Sequence, residues 1–130
     1  MYKVLMSINP KPVSEILNGN KKYEYRKVKI KKDINKIIIY ETSPVKLIVG
    51  EVELLGVIEG SLDEVYNITK DYSGINEYEY YKYFNGCKKA YAYKLGKVIK
   101  YKNPLKLSDL NIKTAPQSFF YIIGKLSSIF

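Results

Sequence analysis

The chain has 130 residues, 46% of them hydrophobic and 27% charged, and a formal net charge of +9. The length fits one domain with a packed core, so we expect a single folded unit over residues 1–130. The basic excess favours a polyanionic partner, nucleic acid first, although the lysine-rich surface typical of an AT-biased genome explains the charge as well. One cysteine and no histidine exclude a disulfide framework and the usual zinc ligand sets, and we assign no metal ligand and no cofactor.

The sequence offers no membrane signal. No apolar run approaches the roughly 20 residues that a membrane-spanning helix needs, and the amino terminus lacks the layout of a signal peptide. We therefore expect a cytoplasmic protein without membrane contact, and the oligomeric state stays open.

The first third of the chain predicts a strand, a short helix and a second strand. Residues 2–8 alternate loosely between apolar and polar side chains and stop at an Asn-Pro pair, which predicts a strand. Residues 13–17 carry apolar side chains at helical spacing, and Gly19 supplies a stop. Residues 36–41 are rich in β-branched side chains and predict the next strand.

The middle of the chain predicts a long strand followed by two short helices. Residues 47–59 read as a strand, and Gly50 and Gly56 within it predict bulges or bends of the kind that curl a sheet. Ser61 with Glu64, and Asn76 with Glu79, have the form of capping boxes, and each predicts the start of a helix.

The last third predicts strands again. Residues 89–95 alternate at period 2, and residues 97–107 follow Gly96 as a possible hairpin partner. Residues 116–124 predict a closing strand. The elements together predict an α+β domain built on a small, partly closed β-barrel of about six strands, with one early and two central short helices.

One short motif stands out in the basic run after the first helix. Gly19, Lys21, Glu24 and Arg26 fit the pattern G-x-K-x-x-E-x-R, which resembles the signature of the ASCH domain family. The segments KVLMSINPKPVSEILNG, KIIIYETSPVKLIVGEVEL and APQSFFYI also resemble small single-domain members, in the same order. The resemblance implies a PUA-like β-barrel, the fold group of PUA, YTH and EVE domains, and a cleft for RNA or a nucleotide-like ligand lined by the motif residues.

The motif residues also have a physical interpretation. If residues 22–26 are extended, Lys22, Glu24 and Arg26 share one face of the strand, and Lys21 lies at the mouth of the loop. Glu24 could then accept hydrogen bonds from a base or ribose, or orient Arg26 for phosphate. The alternative is a surface strand on which Glu24 and Arg26 pair, a contact worth about 0 to 1 kcal/mol.

The resemblance also raises catalysis as an alternative, by a small hydrolase that uses Lys21 and Glu24. One ASCH subgroup removes acetyl from N4-acetylcytidine with a threonine nucleophile at the position of Glu24, and another member type is a ribonuclease. A carboxylate cannot replace that hydroxyl as an ordinary acyl acceptor, but Glu24 could act as a general base, with Lys21 or Arg26 stabilising an oxyanion. Glu51 and Glu53 are further candidate bases, although such a pair is more often a solvated strand face.

Other candidate ligand contacts lie outside the motif. The basic stretch of residues 88–102 interleaves lysines with tyrosines, and Lys89 and Tyr91 could contact a phosphate and stack on a base, unless the tyrosines fill the core. Ser43 lies in the turn after the second apolar strand, and Gln117 precedes the last strand. Either side chain could reach a ligand at the barrel mouth or serve only its turn or strand end.

Overall fold

The computed structural model describes residues 2–123, which form an α+β domain with one six-stranded sheet and three α-helices. The strands are β1 (Tyr2–Ile8), β2 (Tyr23–Arg26), β3 (Ile34–Glu41), β4 (Leu47–Gly60), β5 (Ala90–Leu105) and β6 (Phe119–Ile123). The helices are α1 (Pro10–Leu17), α2 (Leu62–Thr69) and α3 (Glu77–Tyr83), with 3-10 turns at Lys70–Tyr72 and Leu107–Leu110. The predicted class, with one early and two central helices, is confirmed.

The sheet curls into a partly closed barrel. Its strand order is β2-β5-β4-β3-β1-β6, and all neighbours are antiparallel except the pair of β1 and β3. The edge strand β2 approaches the opposite edge, because Arg26 donates hydrogen bonds to the Ser7 carbonyl on β1 and to the Ser118 hydroxyl just before β6. Side-chain hydrogen bonds of Arg26 therefore bridge the gap between the two sheet edges, which are not paired as neighbouring strands.

Helix α1 directly precedes the motif and sets where the motif enters the gap between the sheet edges. Pro10 opens the helix, where its missing N–H is not needed. The helix ends at Leu17 with Asn18 as its C-cap, and Gly19 adopts the left-handed region at φ 84°, which reverses the chain into the motif. Val13 and Ile16 are buried in the core, so the exit point of the helix is fixed against the sheet.

Strand β4 is bent where the glycines predicted it. Its pairing with β5 shifts register between Ile48 and Gly50 and again between Leu54 and Gly56. A Cβ on Gly50 would lie 2.6 Å from the carbonyl oxygen of Ile99, so the two backbones approach too closely for any other residue. The predicted bulges are confirmed.

The sheet buries apolar side chains on both faces. Alternation along β1 sends Val4, Met6 and Ile8 into the main core beneath α1, and Leu5 into a second cluster with Leu110. A third cluster packs α2 and α3 against β2 and β5. The sheet is thus covered on both sides, and the motif strand is held by the third cluster.

Both predicted capping boxes are present. The Ser61 hydroxyl accepts from the Glu64 amide, and the Asn76 side chain accepts from the Glu79 amide. In return, the carboxylate of each glutamate accepts a hydrogen bond from the backbone N–H of its cap residue. These caps fix where α2 and α3 begin, and so fix the α3 face that lies over β2.

The predicted hairpin at Gly96 is wrong. β5 runs unbroken from Ala90 to Leu105 and pairs with β2 near its start and with β4 along its length. The side chains of Glu53 and Leu55 lie directly over the Cα of Gly96, so this glycine allows a close approach and makes no turn. The last strand begins at Phe119, three residues later than predicted, and its predicted end at Gly124 lies outside the described residues.

Candidate functional site

A pocket of about 460 Å³ opens at the gap between the sheet edges. Its volume lies in the range of small-molecule sites, about 300 to 1,000 Å³. Five chain segments line it: the end of β1 with the start of α1, the motif, the turn after β3, α3 with its preceding loop, and the segment before β6. The lining residues are Ser7, Ile8, Asn9, Pro12, Lys21, Glu24, Tyr25, Arg26, Thr42, Ile75, Glu79, Tyr83 and Gln117.

Lys21 is a buried cation at the pocket wall. Only 5% of the residue is exposed, and its ammonium group donates to the carbonyl of Ser73. The Nζ atom lies 3.7 Å from Glu24 Oε1 and 5.5 Å from the centre of the Tyr25 ring. Burial lowers the pKa of Lys21, and the nearby Glu24 carboxylate partly opposes that shift. A lysine in such a setting is typical of functional sites.

Glu24 and Arg26 lie on the same face of β2 and contact each other, as the period of a strand requires. Arg26 Nε and Nη2 donate to one oxygen of Glu24, Oε2, at 3.1 and 2.8 Å. Nη2 also donates to the Ser7 carbonyl at 2.9 Å, and Nη1 to the Ser118 hydroxyl at 3.3 Å. Glu24 thus orients the guanidinium with one oxygen and presents the other, Oε1, toward Lys21.

Tyr25 lines the pocket and also packs in the third cluster, where it anchors the strand. Its ring packs edge to face on Tyr80 of α3 and on Phe84, the residue that follows this helix. The Thr69 hydroxyl donates to the Val65 carbonyl, so the Tyr25 hydroxyl donates in turn to Thr69. Burial raises the pKa of Tyr25, which keeps this donor protonated. The motif strand is therefore held by neutral packing on one face and presents its charges on the other.

The charges that line the pocket are balanced. Lys21 and Arg26 contribute two positive charges, and Glu24 and Glu79 two negative ones. The rim adds neutral polar groups, with the Thr42 hydroxyl donating to the Asn9 side chain at 2.8 Å. Such a pocket suits a polar, uncharged group with donors and acceptors better than a group of several negative charges.

Of the predicted ligand contacts, the structure brings four together in this pocket: Lys21, Glu24, Arg26 and Gln117. The other four do not line it. Lys22 precedes β2, and its ammonium lies over the ring of Tyr72. Ser43 is exposed beside Thr42, which supplies the hydroxyl instead.

Lys89 and Tyr91 lie near the start of β5, outside the pocket. Lys89 is exposed and 3.8 Å from Glu59, and Tyr91 is half-buried opposite Arg26 in the ladder. The tyrosines that follow do not form a stacking surface. Tyr93 is fully buried, and the Tyr101 hydroxyl bonds to Glu51 at 2.9 Å, so the core interpretation of these two tyrosines is confirmed.

The expectation that Glu51 lies on a solvated face is wrong. Only 4% of Glu51 is exposed, and its carboxylate lies 2.5 Å from Lys36 Nζ, whereas Glu53 is exposed. Neither carboxylate lines the pocket. Glu51 on β4 therefore belongs to a separate ion pair with the partly exposed Lys36 on β3.

Sequence reasoning missed several lining residues. Asn9 gave a signal only as the stop of the first strand, and neither Pro12 nor Tyr83 was among the predicted ligand contacts. Tyr83 is 39% exposed at the rim, whereas its neighbours Tyr80 and Phe84 are buried. The signal that could have found Tyr83 is its place in the sequence, as an aromatic side chain just outside the apolar face of the helix.

Among residues 2–123, no group of three or more His, Cys, Asp or Glu side chains is placed to hold a metal ion. In the same part of the chain, no helix combines the length and the apolar character needed to cross a membrane.

Comparison with known proteins identifies the family of this chain. The ASCH domain profile matches residues 6–104. The ATP synthase subunit alpha of Ureaplasma parvum serovar 3 is 32% identical over 120 residues, which cover 92% of this chain and 15% of that protein. An ASCH domain-containing ribonuclease of Zymomonas mobilis is 28% identical over 94 residues, 72% of this chain and 64% of that protein.

The fold has a solved counterpart. The crystal structure of ASCH from Zymomonas mobilis superimposes with a TM-score of 0.88 at 25% identity and covers 97% of this chain and 91% of that chain. The chain spans only a small part of the Ureaplasma relative, so the likeness there concerns one region of a larger protein.

Proposed function

Since the chain belongs to the ASCH domain family, we propose that it binds RNA and holds one nucleotide of it in the pocket lined by Lys21, Glu24 and Arg26. The observation that carries the proposal is the arrangement of Glu24. One carboxylate oxygen fixes Arg26, and the other faces the pocket 3.7 Å from Lys21, where it can accept a hydrogen bond from a base or a ribose hydroxyl.

Two further features support RNA as the ligand class. A relative that is 28% identical over 72% of this chain is named a ribonuclease. The net charge of +9 attracts polyanions at long range. The balanced charge of the pocket fits a base and ribose, and Tyr83 at its rim offers an aromatic face of the kind on which RNA-binding proteins stack a base.

The test is equilibrium binding of a fluorescein-labelled, randomised single-stranded RNA pool, measured by anisotropy. Glu24→Gln keeps the shape of the side chain but removes the charge that orients Arg26, so we expect affinity to fall about tenfold or more, or about 1.4 kcal/mol. Glu53→Gln makes the same charge change at an exposed site outside the pocket and should leave affinity near wild type. Equal affinity in wild type and Glu24→Gln would contradict the proposal.

A second candidate is cleavage of the RNA phosphodiester bond. Besides the name of the Zymomonas relative, it is favoured by the proximity of an acceptor, Glu24, to a buried cationic donor, Lys21. Glu24 would take the proton of a 2′-hydroxyl as that oxygen attacks phosphorus, and Lys21 would protonate the departing 5′-oxygen. The products would be a 2′,3′-cyclic phosphate and a free 5′-hydroxyl.

Mass spectrometry of the same RNA pool decides this second candidate. Cyclic-phosphate ends that form with wild type and not with Lys21→Met support cleavage, and an intact pool contradicts it. Hydrolysis of an acylated nucleoside has less support, because Glu24 stands at the position where that chemistry uses a hydroxyl nucleophile.

A further inference from the structure

The pocket does not account for the basic character of the chain. Its charged lining residues sum to zero, whereas the chain carries +9. A single-stranded RNA that places one nucleotide in the pocket has further phosphates on either side, and these need cations elsewhere. A fixed basic element on the surface near the pocket mouth would supply these cations.

The segment of residues 27–32, between β2 and β3, is such an element. It reads Lys-Val-Lys-Ile-Lys-Lys and has no regular secondary structure. All of its side chains are exposed except that of Ile30, which is 6% exposed and packs in the main core. We call residues 27–32 the basic loop.

The hydroxyls of buried Tyr93 and half-buried Tyr121 hold the backbone of the basic loop in place. The Tyr93 hydroxyl accepts from the Ile30 amide at 3.0 Å and donates to the Val28 carbonyl. Burial raises the pKa of Tyr93 to about 12, so this hydroxyl keeps its proton at neutral pH. The Tyr121 hydroxyl accepts from the amide of Lys31 at 3.0 Å and from that of Lys32 at 3.4 Å.

These contacts make the loop preorganised, which matters for binding. A loop whose backbone is already ordered loses little conformational entropy when it engages a ligand. The contacts of Ile30 and Tyr93 thus fix the backbone positions of the loop lysines. A flexible basic tail would have no such fixed backbone.

The basic loop begins at the pocket. Lys27 follows Arg26 directly, and its ammonium lies 4.8 Å from the centre of the Tyr83 ring at the rim. Farther along, Lys29 pairs with Glu59 at 2.7 Å, and Lys32 lies 4.5 Å from the centre of the Tyr2 ring. A strand that leaves the pocket past Tyr83 therefore meets Lys27 first and the rest of the loop after it.

We propose that the basic loop docks the phosphate backbone of a single-stranded RNA next to the nucleotide in the pocket, so that the ligand class is an RNA strand and not a free nucleotide. This inference rests on the proposed function of the pocket. It adds a separate surface that the pocket residues do not include.

The test compares two double variants of equal charge change. Lys27→Gln with Lys31→Gln removes two loop cations and leaves the Lys29 ion pair and the Lys32 ring contact in place. Lys97→Gln with Lys102→Gln removes two exposed cations from β5, in the other basic stretch of the sequence. Thermal unfolding of each variant confirms that it is folded.

The probes are a randomised single-stranded RNA pool about 12 nucleotides long, within the range of single-strand site sizes, and a mixture of the four nucleoside monophosphates. Affinity for the RNA pool is measured across a salt series. Each phosphate contact contributes about 0.7 to the slope of log K against log salt on single strands, so the loop variant should lower the slope by about 1.4. Its RNA affinity should fall about tenfold or more, whereas the β5 variant should stay near wild type.

The outcomes separate this inference from the proposed function. Loss of RNA affinity in the loop variant with unchanged monophosphate binding supports the basic loop as the docking surface. RNA affinity that is unchanged in the loop variant, or reduced equally in the β5 variant, overturns the inference, and the pocket proposal then stands on Glu24→Gln alone. A wild-type protein that binds neither probe overturns both.

Discussion

At the scale of single residues, the candidate site depends on one carboxylate placed between two cations. Glu24 neutralises and orients Arg26, and the guanidinium in turn links β2 to β1 through the Ser7 carbonyl. A buried ion pair is weak evidence for stability, because desolvation offsets much of the attraction. The arrangement is better explained by what the charges can hold in the pocket.

Lys21 gives a pH-dependent prediction. Its folded-state pKa is lowered from 10.5, chiefly by burial, so the unfolded chain binds more protons than the folded one between that lowered pKa and 10.5. Stability from this residue therefore rises with pH in that window. We expect the unfolding free energy of wild type to rise relative to that of Lys21→Met as the pH increases from the lowered folded-state pKa of Lys21 toward 10.5.

Urea titrations of both proteins at several pH values measure that difference. Comparing wild type with Lys21→Met cancels the contributions of the tyrosines and other lysines, which titrate in both proteins. A difference that is flat across the window, or that falls with rising pH, would show that burial does not govern Lys21.

At the scale of elements, close backbone approach decides the geometry around the site. Gly50 on β4 lies against the Ile99 carbonyl of β5, and the side chain of Leu17, the last residue of α1, packs over it. The position of α1 on the sheet sets where the chain turns at Gly19 and enters the motif. A glycine far from the pocket thereby helps to position Lys21.

Two glycines on β4 form a matched pair for testing this point. Gly50→Ala would place a Cβ 2.6 Å from a backbone oxygen that cannot move alone, so we expect a loss of about 1 to 3 kcal/mol in stability. Gly56→Ala meets no atom within 4 Å and should change stability by less than about 0.5 kcal/mol. Chemical denaturation of both variants measures the contrast, and an equal effect at the two positions would count against the packing argument.

The elements also show how far the sequence alone could go. The capping boxes at Ser61 and Asn76 and the stop at Gly19 were predictable, because each depends on a few neighbouring residues. The role of Gly96 was not, because the same residue serves a turn or a close approach, and the choice depends on Glu53 and Leu55, which are distant in sequence.

The candidate site divides in the same way. Lys21, Glu24 and Arg26 lie within one motif, and their shared face follows from the period of a strand. Thr42 and Tyr83 join them only because the sheet curls and α3 lies over β2, which no local pattern encodes. Except for Gln117, the lining residues that only tertiary folding brings to the motif were therefore missed by sequence reasoning.

At the scale of the whole molecule, the curled sheet brings its two edges together and leaves a charge-balanced pocket between them. The surplus positive charge lies outside that pocket, in part on a basic loop anchored by core tyrosines. This division assigns recognition of one nucleotide to the pocket and attraction of the strand to the surrounding surface.

The most direct measurement is an NMR titration of the ¹⁵N-labelled protein with single-stranded RNA, following each backbone amide. We expect the largest shift changes at the pocket amides of Lys21, Glu24, Arg26, Thr42 and Tyr83, and the loss of these changes in Glu24→Gln. Shift changes confined to the separate surface groove of Leu107, Ser108, Asn111 and Lys113, with the pocket amides unmoved, would contradict it.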